Sequence, residues 1–166
     1  MHREHPLAPM TMDLRVVTGL LLVLPLGFLG AGAVGPAPAS ILLVGTAAVL
    51  MASYLALWLL ARPTRFEVDA TSLRLVWPLR RRVIPRSALG TPRLVDRARF
   101  RQEYGFGVRI GAGGLWGGFG WLSTRQGTLS MWISRTDRFV LIPVAGDQTL
   151  MLTPADPEAF VAALGG

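Results

Sequence analysis

Residues 16–61 contain no Asp, Glu, Lys, Arg or His, and this uncharged stretch restricts the fold more than any other feature of the chain. It is too long for one core helix and long enough for two bilayer spans joined by a turn. Two apolar runs, 16–35 and 41–60, flank the uncharged turn Gly35, Pro36, Ala37, Pro38, Ala39, Ser40. At 1.5 Å per residue each run makes a helix roughly 30 Å long, the thickness of a hydrocarbon core. The turn is too short for anything but a tight hairpin. Pro25 inside the first run predicts a kink, which helices in lipid tolerate. The chain thus divides into an N-terminal tail (1–15), a two-helix transmembrane anchor (16–61) and a following domain (62–166).

A cleaved signal peptide competes with the first span, because Ala37, Pro38 and Ala39 before Ser40 resemble a small-residue cleavage site. Against it, Glu4 and Asp13 precede the run, the run exceeds a usual signal core, and a second span follows at once. Arg3 and Arg15 precede the spans, Arg62 and Arg65 follow them, and the turn has no arginine. That distribution predicts a multi-pass protein of the cell membrane with both termini cytoplasmic, and sets Tyr54 and Trp58 toward the inner interface. Small residues recur every four positions, at Gly27, Ala31 and Gly35 and at Ala48, Ala52 and Ala56. Such stripes allow close backbone approach, and they are expected to pack the hairpin.

The net charge of +7 lies after the anchor, since Arg3 and Arg15 are balanced by Glu4 and Asp13. All 17 basic residues are arginine, which reads mainly as a coding bias in a chain rich in Ala, Gly and Pro. A basic domain beside a bilayer points to anionic lipid headgroups. No recognisable nucleic-acid motif accompanies it, so nucleic acid is not the expected partner. The absence of cysteine excludes disulfides and thiolate chemistry. His2 and His5 both fall in what reads as a flexible tail, which argues against a His-based triad or metal site. Without lysine there is no phosphate-binding Gly-Lys-Ser/Thr loop. Glu67 and Asp69 read as a solvated pair beside Arg62 and Arg65 rather than an acid–base couple. The expectation is a non-enzyme with no catalytic residue, cofactor or metal.

Past the anchor the pattern turns to short strands. Phe66 to Asp69 alternates apolar and charged residues, Leu73 to Trp77 exposes one arginine, and the next strand carries Pro85, which favours an edge. Further strands are expected at 107–110, 129–134, 138–144 and 148–152, with Ala145, Gly146 and Asp147 turning the last hairpin. Asp156, Pro157 and Glu158 form a helix start, and Phe160, Val161 and Leu164 share one face of a helix at about 156–164. The pattern describes a bent antiparallel sheet plugged by a helix.

The residues RPTRFEVD (62–69), WPLRRRVIP (77–85), GLWGGFGW (114–121) and the close from Thr153 to Val161 together resemble the bacterial PH-domain families. Many members place such a domain after two membrane spans. The resemblance implies a mainly β, PH-like domain: a partly open barrel of seven strands with a C-terminal helix. It implies no catalysis and assigns no ligand by residue.

Two segments are candidates for contact with headgroups or a partner. Arg80, Arg81 and Arg82 are consecutive at a hairpin; they read either as a solvated turn or as a contact with the anionic leaflet, where each arginine adds on the order of 1 kcal/mol. Residues 105–120 interleave glycine with Leu115, Trp116 and Phe119, and Trp121 follows. They fail the dinucleotide spacing, because Trp116 stands where a third glycine is needed. Trp116, Phe119 and Trp121 either cover the sheet, dip into the bilayer interface or dock a partner. Two functions follow: a membrane-anchored PH-like module that binds membrane lipids or a membrane-protein partner, or an accessory subunit of a membrane assembly or transporter. The uncharged spans favour the first over transport.

Overall fold

The computed structural model describes residues 3–165. The segment expected to be a flexible tail is ordered: Arg3–Pro6 is a β-strand, β1. His2 lies outside the described residues. Two apolar helices follow, α1 (Met12–Val34) and α2 (Ala37–Ala56), and α2 ends in a π-turn over Leu57–Ala61. The chain then re-enters the sheet as β2 (Arg65–Val68), β3 (Ser72–Val76) and β4 (Arg81–Pro85). These strands form one sheet in the order β1-β2-β3-β4, antiparallel throughout. The helical hairpin is therefore an insertion between two neighbouring strands, with Arg3 opposite Val68 and Pro6 opposite Arg65.

The second sheet comprises β5 (Arg93–Asp96), β6 (Val108–Gly113), β7 (Gly118–Thr124), β8 (Gly127–Ile133), β9 (Arg138–Ile142) and β10 (Thr149–Leu152). Helix α3 (Arg97–Tyr104) follows β5, and α4 (Pro157–Gly165) follows β10. The sheet order is β5-β9-β10-β8-β7-β6. Two open sheets stand where a partly open barrel was expected. The meander is also broken: β10 slots between β9 and β8 and runs parallel to β8. Alternation along β10 shows which faces are buried but does not choose a neighbour, so this insertion had no local signal.

One core lies between the sheets and under α4, where Phe66, Leu73, Leu75, Val140, Ile142, Leu150, Leu152 and Phe160 are fully buried. The other face of the second sheet carries Leu129, Met131, Leu141 and Met151 and is covered by Phe100 of α3. Helix α3 had no clear sequence signal, because four charged residues, Arg97, Arg99, Arg101 and Glu103, surround its one buried anchor, Phe100. Asp96 caps it by accepting the N–H of Arg99 at 2.8 Å. Asp156 caps α4 in the same way through the N–H of Ala159, 2.9 Å. Glu67 and Asp69 do not form a solvated pair. Glu67 is buried against Arg65 (2.8 Å) because β1 covers β2. Asp69 accepts the backbone N–H groups of Thr71 (2.8 Å) and Ser72 (2.7 Å), which close the β2–β3 turn and hold its carboxyl well below the usual range.

Within the helical hairpin, Pro25 lacks the N–H that would serve the carbonyl of Leu21, four residues earlier. The Tyr54 hydroxyl of α2 donates to that carbonyl instead, at 3.0 Å. At the turn, the Ser40 hydroxyl donates to Gly32 O (2.6 Å) and bonds Gly35 O (3.0 Å). The helices are in close contact at Gly32, where a Cβ would meet Val44 at 3.0 Å, and Ala47 of α2 is buried. The four-residue stripes do not make this contact: Gly27, Ala31, Ala48, Ala52 and Ala56 face outward.

Two outcomes are expected. Tyr54→Phe leaves the Leu21 carbonyl unpaired and should destabilise the hairpin by about 1–2 kcal/mol. In a Pro25→Ala background, where an N–H is restored, the same change should cost little; thermal melting of the four proteins checks the cycle. His5, edge-on to Phe160 at 5.1 Å, is held neutral by burial, aided by Arg3 and opposed by Asp156, so its pKa falls below 6.5. The unfolded chain then binds the proton more readily, and stability should decline as pH falls from about 6.5 through the lowered value. Melting in detergent from pH 8 to 5 should show this loss, and His5→Gln should flatten it.

Candidate membrane-interface site

The Gly-rich segment is a β-hairpin whose tip reaches the helices. Gly111 and Gly120 face each other across β6 and β7, and a Cβ on either would collide with the opposite carbonyl, of Phe119 or Ile110. The glycines serve close strand approach, which is why their spacing fits no cofactor loop. At the tip, Trp116 adopts φ 57°, a left-handed conformation that costs a non-glycine residue about 1 kcal/mol or more. Thr18 of α1 holds it there. The Thr18 hydroxyl donates to Gly114 O at 2.9 Å and accepts the N–H of Trp116 at 3.0 Å. Trp116 then packs edge-on against Trp58 of the π-turn, with ring centroids 4.9 Å apart. Thr18 lies six residues beyond Met12, so the tip touches α1 about 9 Å below its start.

The other hairpin, β3–β4, meets the end of α2. The Trp77 indole donates to Ala61 O at 3.0 Å and stands edge-on to Trp132 at 5.0 Å. The Arg80 guanidinium lies over Trp77 (4.4 Å) and near Trp132 (5.7 Å). Arg62 lies over Trp58 at 4.4 Å, and burial lowers its pKa. Arginines and tryptophans thus form a collar where the apolar helices enter the domain. The π-turn belongs to it, since Ala61 at its end has a carbonyl with no intrahelical partner, and Trp77 takes it.

The three consecutive arginines have three different settings. Arg80 is stacked in the collar, Arg81 is exposed on edge strand β4, and Arg82 is ion-paired with Asp147. The aromatics also separate. Phe119 is buried, Trp116 belongs to the tip contact, and Trp121 is 50% exposed beside Ile110 on the outer face of β7. Trp58 was expected toward the inner interface, whereas Trp77, Trp132 and Thr18 join the site without having been singled out for it. The signal for Thr18 was faint: it is one of two threonines among the apolar residues of 16–61.

A family model described as a bacterial PH domain matches residues 64–166. No curated protein and no solved structure matches the chain. Among the described residues no group of three or more His, Cys, Asp or Glu could hold a metal ion.

Thr18→Val should release the tip by removing both hydrogen bonds while keeping side-chain volume, at a cost of about 1–3 kcal/mol. Hydrogen exchange at residues 114–117 should accelerate while β8 and β10 stay protected. Unchanged exchange at the tip would show that the Trp58–Trp116 contact suffices.

Proposed function

The chain belongs to the bacterial PH-domain family, and we propose that it is a membrane-anchored, non-catalytic module presenting its PH-like domain at the cytoplasmic face. The observation that carries this reading is where the apolar surface lies. Both helices are long and apolar enough to cross a membrane. Leu20, Leu26, Val34, Ile41 and Val49 are each more than 60% exposed, so the helices do not form the core of the domain. The Arg–Trp collar sits at their open end, where amphipathic rings and arginine favour headgroups.

The N-terminal strand supports an uncleaved hairpin. Cutting after Ala39 would remove β1 and the contacts of Leu7 and Ala8, whose backbones bond Thr64 O (3.1 Å) and Thr153 O (2.9 Å). Pairing of β1 with β2 also supports placing both helix ends on one side of the bilayer. Arg80 and Arg81 would face anionic headgroups, whereas Arg82 contributes less because Asp147 neutralises it. Exposed Trp121 would lie against the interface.

The test uses the absence of cysteine. Single cysteines at Pro36→Cys and Ala145→Cys are labelled in intact cells with a membrane-impermeant maleimide. Pro36→Cys should label from outside and Ala145→Cys only after lysis; the reverse pattern overturns the reading. A second reading, an accessory subunit of a membrane assembly, draws on the outward-facing Gly27, Ala48 and Ala52, and a stoichiometric partner retained in mild detergent would favour it.

A further inference from the structure

The second core is not sealed beneath α3. Arg97 and Arg101, one helical turn apart on α3, and Arg109 of β6 surround an opening of about 170 Å³. Its floor is apolar, formed by Leu122, Met131 and Ile133. None of the three arginines has an ion-pair partner among the described residues. Two nearby carboxylates are engaged elsewhere, Glu103 by Arg93 and Arg99 and Asp137 by Arg135, and Asp13 stands at the mouth, accepting the Thr136 hydroxyl at 3.3 Å.

The opening is built for Arg109. A Cβ at Gly113 would overlap the Arg109 guanidinium, and one at Gly118 would stand 3.4 Å from its Cζ. The bare glycine track lets this side chain lie along the hairpin at the mouth. The mouth lies where α1 leaves the domain, since Thr136 both lines it and bonds Asp13 in the first turn of α1. Phe106, 90% exposed with Arg101 5.5 Å from its ring, stands at the rim. Unpaired guanidinia around an apolar floor at that level match an amphiphile with an anionic head.

We propose that this opening binds the phosphate-bearing headgroup of an anionic membrane phospholipid. Arg97, Arg101 and Arg109 take the phosphate, and the first apolar carbons lie on Leu122, Met131 and Ile133. The assignment rests on reading α1 and α2 as bilayer spans. It differs from the consecutive arginines of β4, where Arg82 is paired with Asp147, in that none of its arginines is ion-paired among the described residues.

The experiment titrates the full-length chain in neutral detergent with dihexanoyl phosphatidic acid, dihexanoyl phosphatidylcholine or inorganic phosphate. Thermal shift and calorimetry should show saturable binding of the phosphatidic acid, about tenfold or more tighter than the zwitterionic lipid. Arg109→Gln should weaken it several-fold, and the triple Gln variant at Arg97, Arg101 and Arg109 should abolish it. All three arginines are exposed, so the lipid-free melting temperatures should match wild type. Equal binding by the triple variant overturns the site, and equal binding of inorganic phosphate overturns the amphiphile. The cysteine-labelling topology separates the two readings. A chain that inserts but ignores phosphatidic acid overturns this site alone, and one that fails to insert removes its premise.

Discussion

The pairing of β1 with β2 governs the rest of the architecture. Adjacent strands must lie about 4.8 Å apart, so the chain leaving β1 at Pro6 and the chain entering β2 at Arg65 are fixed side by side. Everything between them must go out and return. Two apolar helices do so, turning at Ser40, whose hydroxyl bonds the carbonyls of Gly32 and Gly35. The family match begins at residue 64 and so omits β1, yet β1 turns β2 into a central strand and buries Glu67 beside Arg65. An edge strand with an unpaired row of backbone N–H and C=O groups is a liability, and β1 shields β2 from it.

A sheet junction alone would let the helices pivot about two chain crossings. The Gly/Trp hairpin adds a third point of contact, and it uses the one polar side chain that α1 offers at the needed depth. Thr18 both donates and accepts, so it pairs Gly114 O and the Trp116 N–H together. The left-handed Trp116 is tolerable because of this bond and the Trp58 edge contact. Opposite it, Trp77 holds Ala61 O at the end of α2. The helices are therefore gripped from both sheets, which couples the orientation of the domain to that of the hairpin.

The parts legible in the sequence were those set by local pattern. The uncharged run gave two helices, the short alternating segments gave β2, β3 and β9, and Asp156 with Pro157 marked α4. Features set by long-range pairing were not legible. Nothing near residues 3–6 says that they form a strand, because their partner is some 60 residues away. The parallel placement of β10 beside β8, and the closure of α3 over Phe139, are likewise tertiary decisions. The small-residue stripes misled for a related reason: a four-residue repeat marks a helix face without saying what lies against it.

Charge shows the same limit. In the sequence the densest basic feature is Arg80, Arg81 and Arg82, because adjacency is all a sequence displays. Folding brings Asp147 to Arg82 and the Trp77 ring to Arg80, so much of that charge is already engaged. Arg97 and Arg101 are interspersed with Asp96 and Glu103, and Arg109 stands apart from them in the sequence. The structure reverses the ranking. Asp96 turns to cap α3, and Glu103 turns to Arg93 and Arg99 on the far side of the helix. What matters for an anionic ligand is uncompensated charge around a concavity, and the i,i+4 spacing of Arg97 and Arg101 puts both on one face of α3. The glycines of the hairpin complete that arrangement: the residues that bring β6 and β7 together also leave the space in which Arg109 lies.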